Sequence, residues 1–214
     1  MTNIKLNIGC GPSGQIQDFV NIDNSKAALL HQWPLVKKSL YKLGLLSRAK
    51  FDSNWDGVRY LDASRHLPFA TGTISKIYSS HFLEHISLEK GKKVLRECYR
   101  VLQPDGVMRL VLPDLLWHAE KYAIETNRML LSGRDSFTSK AHDEFLDTVY
   151  GAYLVPARFG LLHCYMYDLP TIHCLLSCIG FRQIKSFKYK TGGDDELCQY
   201  DCRPEDSMHV ECIK

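Results

Sequence analysis

Several absent features narrow the class of protein. The sequence of 214 residues has no apolar run that approaches 18 residues, and no basic segment followed by an apolar segment and a cleavage site. None of its eight cysteines forms a Cys-x-x-Cys pair, and a chain of this length can bury a sufficient core without disulfides. We therefore expect no transmembrane helix, no signal peptide and no zinc site of familiar spacing, and we predict a reduced, cytoplasmic protein.

An excess of charge of one sign is also absent. The chain has 27 lysines and arginines against 24 aspartates and glutamates, and it has no block of five like charges. The short basic stretches at residues 37–38 and 90–93 are flanked by apolar or small residues, which indicates solvated faces rather than phosphate-binding patches. We therefore expect no nucleic-acid partner and no membrane partner. The composition does not decide the oligomeric state.

Apolar periodicity predicts strands that alternate with helices over the first half of the chain. A repeat close to 3.6 residues predicts a helix over residues 88–102, which Pro104 and Gly106 end. Residues 25–50 have a helical pattern that Pro34 interrupts. The predicted strands are residues 4–8, 18–23, 58–61, 74–79 and 107–112.

The second half of the chain predicts helices followed by two closing strands. Residues 114–150 predict two helices joined near residues 132–133, and residues 167–178 predict a third. The strands predicted at 183–189 and 208–213 have no helix between them, so we expect them to pair antiparallel at one edge of the sheet.

A glycine-rich turn follows the first predicted strand. Residues 9–14 read GCGPSG and formally match the G-x-G-x-x-G pattern of dinucleotide-binding proteins. Such a site needs a crossover helix after the third glycine, but only eight residues separate Gly14 from Asp23, and the second strand occupies about five of them. The dinucleotide interpretation is therefore disfavoured. A glycine turn followed by a carboxylate at a strand end suits a nucleoside with a free ribose diol, whose hydroxyls Asp23 would bind.

Five segments in the same order resemble the motifs of class I S-adenosylmethionine-dependent methyltransferases. The closest resemblance is to the type-11 family, in a short form with a truncated first helix, and it spans residues 6–112. The matching segments are LNIGCG (6–11), NID (21–23), YLD with LPF (60–62 and 67–69), YSSHFLEH (78–85) and VLQPDG (101–106). The chain departs from the family pattern at Asn7, where an acidic residue is common, and at Asp105, which replaces a glycine.

The resemblance and the element pattern together predict the fold. Strands that alternate with helices favour a mostly parallel sheet covered on both faces. We therefore predict an α/β, Rossmann-like three-layer sandwich with an antiparallel edge strand and a helical lid. We expect one domain over residues 1–214, with a cofactor-binding half (1–112), a substrate and lid region (113–170) and a closing helix with strands (171–214).

The resemblance implies S-adenosylmethionine as the cofactor and names its candidate contacts. Asp23 and Asp62 are the two carboxylates in this set, and each has the alternative role of a solvated strand end or a cap for the next element. The candidate cofactor-binding residues are Asn7, Gly9, Cys10, Gly11, Asp23, Asp62, Ala63, Ser80 and His81.

The implied reaction needs few catalytic groups. Displacement at a sulfonium methyl group relies mainly on orientation and on exclusion of water. A hydroxyl acceptor also needs a base, and a neutral histidine is suited to that role. We predict that His81 or His163 is the base and that Asp114 orients it or the substrate. Asp114 has the equal alternative of capping the helix from Leu115, and His163 that of a structural turn.

The acceptor and the role of the protein are less sharply defined. We expect methyl transfer to a small molecule or saccharide, at a hydroxyl group (O-methylation). The alternative is a non-catalytic S-adenosylmethionine-binding module that acts as a partner or regulatory subunit, which the neutral Asn7 favours.

A metal site is the remaining alternative. His81, Glu84 and His85 share one face if they begin a helix, and that spacing can hold a divalent metal. We favour the interpretation that Glu84 and His85 pack the helix start against the sheet, and we expect no metal.

Overall fold

The computed structural model describes residues 3–132, 140–151, 162–204 and 206–214, and a seven-stranded sheet lies at its centre. The strands are β1 (Ile4–Ile8), β2 (Val20–Asp23), β3 (Val58–Tyr60), β4 (Ile74–Ser80), β5 (Leu102–Pro113), β6 (Arg182–Phe187) and β7 (Ser207–Ile213). Their order across the sheet is β3-β2-β1-β4-β5-β7-β6.

The directions of the strands confirm the predicted fold class. Strands β1 to β5 are mutually parallel, and β7 runs antiparallel to its two neighbours, β5 and β6. The two closing strands therefore pair antiparallel at one edge, as predicted. Strand β5 begins at Leu102 rather than at residue 107, because Leu102 already pairs with Ile74 before a shift in register.

Helices and short turns connect the strands. Pro34 is the first residue of its helix, where its missing N–H costs nothing, and this explains the interruption predicted within residues 25–50. The predicted junction of two helices near residues 132–133 leads into residues 133–139, which lie outside the described residues. The helices are α1 (Lys26–His31), α2 (Pro34–Lys42), α3 (Arg48–Asp52), α4 (Leu88–Val101), α5 (Leu115–Leu131), α6 (Lys140–Tyr150) and α7 (Leu169–Ile179), with 3₁₀ turns at Leu83–His85 and Leu197–Tyr200. Across the described residues, none of the helices has both the length and the apolar character that a membrane span requires.

One face of the sheet carries the main hydrophobic core. Helices α4 and α7 contact each other and lie against this face. The inward stripe of α4 repeats with the predicted helical period, and the strands contribute every second residue because side chains alternate between faces. The core includes Leu6, Ile8, Ile77, Leu110 and Val210 from the strands and Val94, Leu95, Ile172 and Leu176 from the helices.

The opposite face is covered by residues 191–202, which we call the covering segment. The connection from β1 to β2 contains no helix, as the eight-residue gap predicted. Lys76 of β4 pairs with Asp194 at 2.6 Å, and Lys5 of β1 pairs with Glu196 at 2.5 Å. A small apolar cluster fills the space beneath this segment and comprises Ile16, Phe19, Tyr78, Val111 and Leu197.

A buried arginine anchors the same segment. Arg109 of β5 is 0% exposed and donates to both carboxylate oxygens of Asp201, at 2.8 and 2.6 Å. It also donates to Glu211 of β7 at 2.5 Å and to the carbonyl of Thr191 at 3.0 Å. The covering segment is therefore held by charge pairs as well as by apolar contacts.

Candidate active site

The carboxyl ends of four neighbouring parallel strands bring the predicted residues to one edge. Gly9 follows β1, Asp23 ends β2, Asp62 lies two residues after β3, and His81 follows β4. Strand β1 lies between β2 and β4, so the chain order reverses at this point. Open α/β sheets bind their ligands in the crevice outside such a switch point.

The glycine turn has one packed and one open glycine. Gly9 and Gly11 have φ angles of +69° and +59°, in the left-handed region that favours glycine. A Cβ on Gly9 would lie 2.5 Å from the ring of Phe82, whereas a Cβ on Gly11 would meet no atom within 4 Å. Gly9 therefore lets β1 pack against the turn after β4, and Gly11 leaves the backbone accessible to a ligand.

The buried side chain of Asn7 holds the glycine turn in place through hydrogen bonds. Its side chain is 2% exposed and donates to the carbonyl of Gly14 at 2.7 Å and to Oδ1 of Asn21 at 2.8 Å. Asn21 in turn accepts from the N–H of Ile16 and donates to its carbonyl. The two amides satisfy each other and the loop backbone, which gives a structural reason for a neutral residue at this position. Direct contact of Asn7 with a cofactor stays a prediction.

Asp23 connects the glycine turn to the end of β2. Its Oδ2 accepts from the N–H of Gly11 at 3.0 Å, and its Oδ1 accepts from the N–H of Ser25 at 2.7 Å. A carboxylate has about four lone-pair directions, so both oxygens retain acceptor capacity. Burial and the nearby Asp23 raise the pKa of the Cys10 thiol to about 12, so Cys10 is an inert buried thiol.

Asp62 caps a turn, and Ala63 is buried behind it. Oδ1 of Asp62 accepts from the backbone N–H of Ser64 at 2.9 Å and from its hydroxyl at 2.7 Å. Burial acts to raise the pKa of Asp62, but the hydrogen bonds from Ser64 and the charge of Arg65 outweigh it and lower the pKa. Asp62 thus caps a turn, which was the alternative to a cofactor-binding role in the sequence analysis. Its carboxylate lies at the same edge as Asp23.

His81 lies at the end of β4 between a carboxylate and a hydroxyl. Its φ of +50° places it in the left-handed region, and its N–H donates to the carbonyl of Val111 at 2.9 Å. Nδ1 lies 3.1 Å from Oε1 of Glu84, and Nε2 lies 3.1 Å from Oγ of Ser207. Contact with Ser207, at the start of β7, was not foreseen from the sequence.

Ser80 also faces the C-terminal part of the chain. Its hydroxyl lies 3.4 Å from the thiol of Cys202. The segment that covers the second face of the sheet therefore reaches the predicted cofactor edge.

Glu84 is a buried carboxylate in a separate 3₁₀ turn. The condition under which His81, Glu84 and His85 would share one helix face is not met, because Leu83–His85 form their own 3₁₀ turn and α4 starts only at Leu88. Glu84 is 0% exposed, and neither of its carboxylate oxygens has a hydrogen-bond partner among the described residues. Its neighbour His81 is close, but the angle is unfavourable for a hydrogen bond.

His163 approaches this turn from a distant part of the sequence. The N–H groups of Cys164 and Tyr165 donate to the carbonyl of Glu84, which fixes their segment over the turn. The rings of His163 and His85 lie 4.9 Å apart between centroids. Burial lowers the pKa of His163, although the charge of Glu84 opposes the shift, so the imidazole is neutral at neutral pH.

Asp114 is the N-cap of α5. Its Oδ1 accepts from the N–H groups of Leu116 at 3.0 Å and Trp117 at 3.4 Å. The capping alternative is therefore present in the structure, and an orienting role in catalysis stays a prediction. Asp114 also lies close to the start of β7, because its N–H donates to the carbonyl of Asp206.

A groove between α5 and α6 adjoins the predicted active site. Thr148, at the end of α6, lines the groove and accepts through its carbonyl from Nδ1 of His163. Aromatic rings alternate with charged groups along its walls. The lining includes Trp117, His118, Lys121, Tyr122, Glu144, Phe145 and Asp206.

The family of the chain follows from a match over these motifs. Residues 6–110, which include the glycine turn, Asp23, Asp62 and His81, match the type-11 family model, described as a methyltransferase domain. The chain is a class I S-adenosylmethionine-dependent methyltransferase. Its cofactor is therefore S-adenosylmethionine, as the resemblance of the motifs implied.

Solved structures share the fold of this methyltransferase at low sequence identity. A SAM-dependent methyltransferase from Archaeoglobus fulgidus aligns at a TM-score of 0.52 and 14% identity, over 99% of this chain and 86% of its own. One from Methanosarcina mazei aligns at 0.53 and 17%, over 99% and 92%. A possible histamine N-methyltransferase from Thermotoga maritima aligns at 0.52 and 13%, over 100% and 83%. No curated protein matches the chain.

Proposed function

We propose that the methyltransferase acts on a hydroxyl group of a small molecule or saccharide, with His81 as the base. The observation that carries this proposal is the position of His81, whose Nδ1 lies 3.1 Å from Oε1 of the buried Glu84. A carboxylate beside Nδ1 favours a proton on that nitrogen and leaves the Nε2 lone pair for the acceptor. Nε2 already lies 3.1 Å from a hydroxyl, that of Ser207. This contact is the kind that an acceptor hydroxyl would make.

The residues at the carboxyl edge fit S-adenosylmethionine. When bound, this cofactor supplies a methyl group on a positively charged sulfur. Gly11 offers open backbone, and Asp23 offers an acceptor carboxylate for two ribose hydroxyls. Asp62 would accept from the adenine amino group. His81 would then lie closest to the transferred methyl group.

The groove between α5 and α6 is the candidate acceptor pocket. Its aromatic walls suit the apolar faces of a small ring, and its charged groups suit hydroxyls. His163 and Asp114 each contact a residue that lines the groove, Thr148 and Asp206 respectively, so they would position the acceptor or assist His81. A reduced, cytoplasmic setting is proposed from the sequence composition alone.

Replacing Asp23 by alanine is expected to weaken binding of S-adenosylhomocysteine by about 10- to 150-fold, because hydrogen bonds to a charged group contribute about 1.5–3 kcal/mol. Titration calorimetry measures the dissociation constant. Asp52→Ala is the control, since Asp52 is exposed and pairs only with the exposed Arg48 in the described structure. An unchanged dissociation constant in Asp23→Ala would remove Asp23 from the cofactor site.

A panel of acceptors tests the proposed reaction. Purified protein is incubated with S-adenosylmethionine and separate pools of hydroxylated small molecules, saccharides and amines. Product is detected as S-adenosylhomocysteine together with an acceptor that has gained one CH₂. We expect turnover with a hydroxyl pool and none with the amine pool.

The other outcomes contradict the proposal in distinct ways. Turnover confined to amines would indicate N-methylation, the activity named as possible for the Thermotoga maritima neighbour. Binding of S-adenosylhomocysteine without turnover on any pool would favour the non-catalytic module. A saturating ligand at about 100 times its dissociation constant raises the unfolding midpoint by roughly 5–10 °C, which provides the check on binding.

A further inference from the structure

Glu84 is in an energetically unusual position. A carboxylate removed from water costs several kcal/mol unless a charge or hydrogen-bond donors compensate it. Glu84 is 0% exposed and both of its oxygens are without hydrogen-bond partners in the described part of the chain. Nδ1 of His81 lies 3.1 Å from Oε1, at an angle unsuited to a hydrogen bond. A cation seated at this carboxylate would supply the missing compensation.

Two histidines present nitrogen ligands at the same point. Glu84, His85 and His163 each contribute one possible ligand atom, and these three atoms lie within 4.8 Å of one another. Metal–ligand distances of about 2.0–2.2 Å place the ligand atoms of one ion at most about 4.4 Å apart, so small side-chain rotations would let this set surround an ion.

Backbone carbonyls orient both rings. Nδ1 of His163 donates to the carbonyl of Thr148, and Nδ1 of His85 lies 3.4 Å from the carbonyl of Leu162. A histidine that binds a metal usually donates its other ring nitrogen to such a carbonyl, which fixes the tautomer. In both residues the arrangement places the proton on Nδ1 and leaves the Nε2 lone pair for an ion.

We propose that Glu84, His85 and His163 bind one divalent transition-metal ion, with Zn²⁺ as the best match. Two imidazoles and one carboxylate are ligands that Zn²⁺ and its neighbours in the first transition row prefer, whereas Mg²⁺ prefers oxygen ligands alone. Three protein ligands leave at least one coordination position for water or for an oxygen of a substrate. In this arrangement His163 is a ligand, and His81 stays available as the base beside it. This inference does not depend on the identity of the acceptor.

Metal content and calorimetry test the site directly. Protein without an affinity tag is stripped with a chelator, dialysed, and titrated separately with ZnCl₂ and MgCl₂. We expect about one Zn²⁺ per chain, much weaker binding of Mg²⁺, and a lower unfolding midpoint after chelation. His85→Gln and His163→Gln should each weaken Zn²⁺ binding at least 10-fold while S-adenosylhomocysteine still binds. Glu84→Gln is a third variant, and the histidine variants decide the matter if it does not fold.

Exposed thiols on α7 require a matched control. Cys174 and Cys178 lie one helical turn apart, are exposed, and follow the exposed His173, so they could capture Zn²⁺. All titrations are therefore repeated in a Cys174→Ser/Cys178→Ser variant and in His173→Gln, both of which should keep the tight site. Loss of Zn²⁺ in these controls, or retention of full affinity in the His85→Gln/His163→Gln double variant, would overturn the proposal. Absence of Zn²⁺ binding and of any chelator effect would do so equally.

Discussion

Replacing His81 by asparagine is expected to lower kcat by about 10²–10⁴-fold, because a positioned general base contributes about that much. Asparagine cannot accept a proton at neutral pH. It tolerates positive φ better than most residues, so the backbone at +50° is preserved. The acceptor identified by the panel is the substrate for this measurement, and kcat and KM are determined separately.

The pattern of kinetic constants separates a catalytic role from a structural one. A base acts on the transition state, so kcat and kcat/KM should fall together while the dissociation constant of S-adenosylhomocysteine stays within about twofold. A structural role would instead weaken the cofactor and lower the unfolding midpoint. His173→Asn is the matched control, since His173 is exposed on α7 and its ring contacts Ser177 of the same helix. Turnover of His81→Asn equal to that of the control would exclude His81 as the base.

The parts of the site that depend on local sequence could be predicted. Gly9, Gly11 and Asp23 follow directly from a strand, a tight turn and a second strand, and the spacing alone excluded a crossover helix. Asn7 and Asn21 are neighbours because β1 and β2 pair in a register that places them opposite each other. The sequence indicated the position of Asn7 but not its role, since that role depends on the side chain it contacts.

The remaining contacts depend on long-range packing. Ser207 reaches His81 only because β7 inserts antiparallel beside β5, and no short-range pattern encodes that register. The burial of Glu84 likewise requires the segment around residue 164 to lie across its turn. The sequence placed Glu84 near two histidines but did not reveal that its carboxylate is buried. The segment from His81 to His85 has the pattern of a helix start, so the separate 3₁₀ turn at Leu83–His85 was not predicted.

Arg109 is the other position where long-range packing dominates. Replacing it by methionine, which has a similar length and no charge, is expected to destabilise the protein by about 3–5 kcal/mol. The reason is the pair of carboxylates that remain, since Asp201 and Glu211 are 4% and 5% exposed and would keep only backbone N–H donors in place of the arginine. For a chain of this length the unfolding midpoint should fall by roughly 6–20 °C, which scanning calorimetry measures.

A second variant distinguishes loss of the charge balance from loss of packing. Combining Arg109→Met with Asp201→Asn and Glu211→Gln removes the three charges together, and it should recover a large part of the lost stability because no unpaired charge remains buried. Arg48→Met is the control, since the pair of Arg48 with Asp52 is exposed and should change stability by less than about 0.5 kcal/mol. If the triple variant is less stable than Arg109→Met, the arginine acts through packing and through hydrogen bonds to the covering segment, including the one to the backbone carbonyl of Thr191.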